Sequence, residues 1–208
     1  MNIISGTNVD LITPFPPSET RRVFGWSKCY RTFVDSDLYP KGIEDYTSFI
    51  ASALALPATQ SWGVIDKNQL TNARHEAPLV GVVMFEPAQY GGFLHFASAR
   101  KAFKMGLLDE ALELALAAIF STNPSALRVT CCMDERNYPV KVILRSRGFA
   151  FEGAQRSAFL QAGEPRALAM FGLVRPESQA APVELPAEVP QSVGWTEIEV
   201  ALPPLEGE

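Results

Sequence analysis

The sequence predicts a mixed α/β domain in which helices pack on the faces of a sheet. Short apolar or alternating runs typical of strands recur between residues 9 and 174. A longer run over 105–120 has apolar residues three and four apart, which is the helical period. Because strand-like runs at 93–97 and 127–133 flank that helix, the order predicts one strand–helix–strand crossover.

Seven segments have the length and pattern of strands: 9–13, 61–66, 79–86, 93–97, 127–133, 151–159 and 167–174. Residues 79–86 are almost continuously apolar, which is typical of a strand covered on both faces. We expect Gly91 and Gly92 to turn the chain into the next strand, and residues 162–166 to join the last two strands as a hairpin loop.

Four segments have helical features. Ser18 can cap a helix that runs to about Cys29, and apolar spacing predicts a second helix over 43–54. In the third helix, over 105–120, the acidic residues of the first turn suit the helix dipole. The fourth begins at Pro139, carries an apolar stripe and ends before Gly148, which suits the position after a helix.

Charge divides the chain into two parts. The 208 residues contain 18 Lys and Arg against 23 Asp and Glu, a net charge of −5. Residues 176–208 hold seven of those Glu, six of the 16 prolines and no Lys or Arg, so residues 1–175 carry +2. We therefore predict a nearly neutral domain over 1–175 and an acidic, proline-rich tail over 176–208.

The tail supports two interpretations. Its proline spacing favours extended chain, and residues 195–202 then alternate like a strand with one apolar face. Such a strand on a tether could add to a sheet edge of this chain, of a second copy or of another protein. The other interpretation is a disordered, solubilising tail.

Several classes of protein are disfavoured. Three Cys without a CxxC pair indicate neither a disulfide framework nor a zinc site, and the two His have no metal-binding spacing. No apolar run reaches the length of a spanning helix, and the first residues lack the pattern of a secretory signal. We expect a cytoplasmic protein that binds neither membrane nor nucleic acid.

Three segments share the pattern of one known family: residues 106–120 (GLLDEALELALAAIF), residues 128–156 (a strand, Asn, a helix, Gly-Phe and Glu-Gly in succession) and the final AMFGLV. They resemble the GNAT family of acetyl-CoA-dependent N-acetyltransferases, and within it the branch that acetylates ribosomal-protein N-termini. The first segment is similar to the start of the helix after the family's fourth strand, and AMFGLV resembles its last strand. The resemblance implies a mainly antiparallel sheet, an acetyl-CoA co-substrate and a primary amine acceptor.

The family binds the cofactor pyrophosphate at a Gln/Arg-x-x-Gly-x-Gly/Ala turn, which corresponds here to residues 101–106. Gly106 matches the last position, Lys101 stands at the first, and Lys104 replaces a glycine. Either Arg100, Lys101 and Lys104 hold the phosphates by charge, or the turn has lost its phosphate cradle. Asn137 matches the Asn that contacts the cofactor arm, although it could also simply cap the following helix.

The catalytic groups are less clear. The positions where family members carry a Tyr or a Ser acid correspond to Leu144 and Val140, which cannot transfer a proton. Tyr138 is the nearest substitute acid. For the base we choose Glu135, with Asp134 and His95 as alternatives; Glu135 could also be a solvated loop carboxylate, and His95 a hydrogen-bonded core residue.

Two functions therefore remain open. The first is an N-acetyltransferase that acts on a protein N-terminus or a small-molecule amine. The second is a catalytically degenerate GNAT-like structural protein, such as a phage virion component, that binds a partner through residues 176–208.

Overall fold

A computed structural model describes residues 2–29, 58–69 and 79–176, together with the helical positions 44, 47, 48, 51 and 52. Apart from those five positions, the helix predicted over 43–54 lies outside the described residues. The predicted strand over 195–202 lies outside them as well. None of the described helices is long and apolar enough to cross a membrane.

The described residues form eight strands and four α-helices. The strands are β1 (Asn2–Ser5), β2 (Val9–Thr13), β3 (Gln60–Asp66), β4 (Leu79–Ala88), β5 (Gly91–Ser98), β6 (Arg128–Asp134), β7 (Ala150–Gln161) and β8 (Glu164–Val174). The helices are α1 (Thr20–Cys29), α2 (Arg100–Lys104), α3 (Leu107–Thr122) and α4 (Tyr138–Ser146). Short 3₁₀ turns cover Pro17–Glu19 and Lys67–Gln69.

All eight strands belong to one sheet with the order β1-β2-β3-β4-β5-β6-β8-β7. Every neighbouring pair is antiparallel except β5 and β6, which confirms the predicted mixed, mainly antiparallel sheet. The sheet has one strand more than the seven predicted, because β1 pairs with β2 at the edge. With four residues and an exposed Ile3, β1 carries too little apolar pattern to be recognised.

The two faces of the sheet have different helical covers. Helix α3 buries eight residues, from Leu107 to Phe120, against apolar side chains of the central strands, and Leu144 of α4 joins this cluster. On the opposite face, Val23 and Phe24 of α1 pack with Ile12 and Leu79. The sheet is therefore the middle layer, and the faces of β5 to β8 can be assigned from strand alternation.

Two predicted turns are wrong in position. Gly91 and Gly92 do not turn the chain; they begin β5, and the turn is formed by Gln89 and Tyr90. The hairpin between β7 and β8 turns at two residues only, Ala162 and Gly163, and the rest of the predicted 162–166 loop belongs to β8. Both turn residues have positive φ, 50° and 82°, which matches the right-handed twist of the paired strands.

Gly91 is a glycine because two strands approach closely there. A Cβ built on Gly91 would lie 2.4 Å from the backbone oxygen of Arg128, the first residue of β6. Since strand backbones cannot yield as a flexible side chain does, the glycine permits the contact between β5 and β6. The predicted crossover is confirmed: β5 and β6 are parallel and are joined through α2 and α3.

We expect Gly91→Ala to lower the free energy of unfolding by about 1–3 kcal/mol, the usual cost of forcing extra volume into a packed site. The control is Gly25→Ala, because a Cβ on that α1 residue meets nothing within 4 Å and alanine favours helix. Urea unfolding followed by tryptophan fluorescence measures both. Equal stability of the Gly91→Ala variant and the wild type would show that the close approach is not required.

Candidate active site

The sheet opens between β5 and β6. In the described part of the chain these parallel strands are in register at one position, Phe93 with Thr130. Beyond it β5 continues to Ser98 and β6 to Asp134 without a further paired position. Backbone groups on the two sides of this opening can therefore receive a ligand that runs between the strands.

Three cations lie at one end of the opening. Because the carboxyl ends of parallel strands meet at the same edge of a sheet, α2 after β5 lies beside the turn after β6. Arg100, Lys101 and Lys104 of α2 are exposed, and the described residues provide no ion-pair partner for any of them. The sequence-predicted phosphate residues are thus brought to the mouth of the opening.

The backbone of this segment does not form an open cradle of N–H groups. The amide N–H groups of Phe103, Met105 and Gly106 donate to carbonyl oxygens at Ala99, Lys101 and Phe103, at 3.2, 3.1 and 3.3 Å. Gly106 has φ of +74°, a left-handed conformation that separates α2 from α3 and suits glycine. These three N–H groups are therefore not available to a phosphate, which agrees with a turn that lacks the backbone cradle and leaves the exposed cations as its phosphate-binding candidates.

The predicted residues after β6 lie at the same edge. Asn137 occupies the N-cap position of α4, but its side chain makes no capping hydrogen bond. Helix capping therefore does not explain why this position is an asparagine. Glu135 is exposed, and Tyr138 is 69% exposed, with the Lys141 ammonium 5.2 Å from the centre of its ring. Their predicted roles as base and acid remain predictions.

Asp134, an alternative base, and Leu144, which cannot transfer a proton, both have structural roles. Asp134 is buried; one carboxylate oxygen accepts a hydrogen bond from Arg166 at 2.6 Å, and the other accepts from the backbone N–H of Arg136 at 2.8 Å. Leu144, at the position of the family's Tyr acid, is fully buried in the core. Asp134 therefore positions Arg166, and the site has no acid at the position of Leu144.

The face of the sheet opposite α3 carries a histidine beside the opening. His95 is two residues beyond Phe93 on β5, and its side chain is 48% exposed, so it is not the core residue that its apolar strand suggests. Its Nε2 lies 3.5 Å from Oε2 of Glu86 on β4. Strand alternation places Cys132 of β6 on the same face, and Cys131 on the opposite face with the core.

The surroundings of His95 favour its neutral imidazole. Desolvation by neighbouring protein atoms lowers the pKa of His95 below its ordinary value, and the carboxylate of Glu86 partly opposes this shift. A neutral imidazole has a free lone pair and can accept a proton. The neighbouring thiol of Cys132 has a raised pKa, through burial and the charge of Glu152, and remains protonated.

Comparison with solved structures decides the fold. The ribosomal-protein-S5-alanine acetyltransferase of Vibrio fischeri superposes with a TM-score of 0.65 at 14% identity, over 85% of this chain and 98% of that one. An acetyltransferase from Salmonella typhimurium that modifies the N-terminal serine of ribosomal protein L7/L12 gives 0.67 at 14% identity, over 84% and 100%. The chain has the GNAT acetyltransferase fold.

A third solved structure includes the cofactor. The L7/L12 α-N-protein acetyltransferase RimL in complex with coenzyme A superposes with a TM-score of 0.66 at 13% identity, over 83% of this chain and 98% of that one. The sequence matches no protein-family model and no curated protein at a significant level. At such low identity, the comparison shows a shared GNAT fold.

Sequence reasoning missed the pairing of His95 with Glu86. The register of β4 and β5 pairs Glu86 with Phe93 and Met84 with His95, so Glu86 and His95 are diagonal neighbours on one face. Placing the turn at the glycines instead of at Gln89 and Tyr90 shifts this register. The alternation of Phe93, His95 and Ala97 was the available signal.

We expect Glu86→Gln to lower the pKa of His95 further, because the substitution removes the negative charge that favours the imidazolium. Heteronuclear NMR titration of the imidazole resonances measures the shift, with assignment by His95→Gln. His75, the second histidine, serves as the reference in the same spectrum. A higher pKa in the variant would contradict the proposed contact between Glu86 and His95.

Proposed function

We propose that the protein is an acetyl-CoA-dependent N-acetyltransferase that acts on a primary amine. The observation that carries this proposal is the opening between β5 and β6, with Arg100, Lys101 and Lys104 at its edge. The GNAT fold and the neighbours that modify ribosomal-protein N-termini support the same reaction. Because fold alone does not give function, the chemistry depends on the residues of this chain.

The residues at the opening fit a diphosphate through charge. Three exposed cations can contact phosphate oxygens, and charge-assisted hydrogen bonds are stronger than neutral ones. The first N–H groups of α3 also lack intrahelical acceptors and favour negative charge. Asn137, which is partly exposed and makes no capping bond, would donate to the arm of the cofactor.

Acetyl-CoA, when bound, would supply an activated acetyl group to an uncharged amine. The contribution of this chain is to remove the proton that the amine loses as its nitrogen forms the new bond. We assign this role to His95, directly or through one water, in preference to the sequence-based choice of Glu135. Glu86 orients the imidazole and stabilises the imidazolium that forms. Tyr138 stays the predicted proton donor to the departing thiolate.

The pKa of His95 favours an α-amino acceptor. A base whose pKa is below 6.5 is a weak proton acceptor for a lysine ammonium, whose ordinary pKa is about 10.4. An α-amino group has an ordinary pKa of about 7.7–8.0, so a substantial fraction is already uncharged near neutral pH. Together with the neighbours that modify a ribosomal-protein N-terminus, this difference supports protein N-termini or small α-amines as acceptors in preference to lysine side chains.

Binding of acetyl-CoA is the first test. We expect isothermal titration calorimetry to give a dissociation constant for acetyl-CoA below the millimolar range. The double variant Lys101→Gln/Lys104→Gln should raise this constant about tenfold or more, because charge-assisted contacts are lost. The control, Arg21→Gln, removes an exposed cation of α1 on the opposite face and should bind as the wild type does. No binding at millimolar acetyl-CoA by the folded protein would refute the proposal and favour the structural-protein alternative.

The second test concerns His95. We expect His95→Gln to lower kcat by about a hundredfold, the lower end of general-base contributions, while leaving acetyl-CoA affinity unchanged. Protonation of the free amine lowers kcat/KM in both proteins as pH falls. In the wild type, kcat/KM should decrease more steeply as pH falls through the lowered pKa of His95, because protonation also removes the base. The variant should keep the first decrease and lose the second. An unchanged kcat and pH profile in the variant would assign the base to another group.

A further inference from the structure

A polar cavity lies at the end of β6, against the β7–β8 hairpin, and has a volume of about 210 Å³. Its lining is Asp134, Glu135, Arg136, Arg156, Ser157, Pro165, Arg166 and Ala167. Three arginines and two acids surround it, and its wall is almost entirely polar. The composition suits a charged ligand rather than an apolar one.

Arg166 is fixed in the wall of this cavity. Its side chain is 15% exposed, and Nη2 donates to Oδ2 of the buried Asp134 at 2.6 Å. Within the described residues, Nε of Arg166 is buried and has no acceptor. A buried donor without an acceptor is rare in folded proteins, and a small rotation toward an entering carboxylate would satisfy it.

Arg136 and Arg156 provide the uncompensated charge. Asp134 neutralises Arg166, which leaves these two exposed arginines against Glu135. Neither has an ion-pair partner in the part of the chain that the structure describes. The planar guanidinium group presents two parallel donors, which is the geometry that a carboxylate matches.

A bulge in β7 brings Arg156 to the cavity. The register between β7 and β8 shifts between Gln155 and Phe159, and Ser157 has φ of +49°. A left-handed conformation in a residue other than glycine is uncommon and indicates a local constraint. Bulges re-aim side chains, and here the irregular residues are the ones that line the cavity.

The cavity lies on the same face of the sheet as His95. Strand alternation places Cys132 on that face, and Asp134, two residues further along β6, lies on the same face. On β8, Met170 is paired with Cys132 and Leu168 with Asp134. Two residues of strand span about 7 Å, so the cavity is on the order of 10 Å from the opening beside His95. That distance corresponds to about three residues of extended chain.

We propose that this arginine cavity is the acceptor's second subsite, and that it binds a carboxylate carried by the amine substrate. This inference rests on the proposed acetyltransferase function and specifies its substrate class. The preferred acceptor is a peptide with a free N-terminus at His95 and an Asp or Glu at the second or third position in the cavity. Arg156 and Arg136 pair with the carboxylate, and their positive charge disfavours basic acceptors.

The test compares two peptides of otherwise identical sequence. The acidic peptide carries Asp or Glu at positions two and three, and its amide counterpart carries Asn or Gln there. We expect kcat/KM to be about tenfold higher for the acidic peptide, consistent with one charge-assisted pair, and Arg156→Gln to remove most of that preference. Arg145→Gln is the control, because this exposed arginine of α4 is not part of the cavity lining, and it should retain the preference. Free aspartate and glutamate as acceptors show whether a small molecule suffices.

A readout without turnover keeps this inference separate from the proposed function. In calorimetry, the acidic peptide should bind the wild-type protein more tightly than its amide counterpart does. The Arg156→Gln protein should bind the two peptides with equal affinity. Equal binding and equal kcat/KM of the two peptides, with acetyl-CoA affinity intact, would overturn the arginine subsite alone. Loss of acetyl-CoA binding would instead refute the proposed function. A preference that survives in both Arg156→Gln and Arg136→Gln would also overturn the subsite.

Discussion

The proposed site depends on one constraint: the parallel strands β5 and β6, as far as the structure describes them, are paired at one position. Phe93 and Thr130 hold the two strands together, and Gly91 allows the backbone of Arg128 to approach beside them. Beyond this junction, toward their carboxyl ends, the described strands have no further paired position. An antiparallel partner would have closed the sheet through a short hairpin, whereas the parallel crossover leaves an opening and brings the next helices to its edge.

The chemistry follows from what each side of this opening presents. At the carboxyl edge, α2 supplies exposed cations, and three backbone N–H groups of this segment are bonded to its own carbonyl oxygens. The proposed attraction for phosphate therefore comes from these charges together with the first N–H groups of α3. On the face opposite α3, His95 pairs with Glu86, the pair to which we assign the proton transfer. On the same face, Asp134 and Arg166 form part of the arginine cavity. In the proposed function, one opening thus separates a cofactor side from an acceptor side.

The sequence predicts the layers and the crossover well, because apolar periodicity reports burial directly. It does not predict features that depend on register or on long-range contacts. The strand β1 is too short to show a pattern, and Gly91 and Gly92 resemble a turn although they serve a close approach of strands. The pairing of His95 with Glu86, and that of Arg166 with Asp134, become visible only when strand register is known.

Hydrogen exchange of the backbone amides, with and without acetyl-CoA, tests the central claim most directly. A ligand that occupies the opening should slow exchange at residues 94–98 of β5 and 131–134 of β6, the strand segments beyond the Phe93–Thr130 junction. Amides of β1 and β2, at the far edge of the sheet, should exchange unchanged. Protection confined to other strands, or absent at saturating acetyl-CoA, would contradict the account.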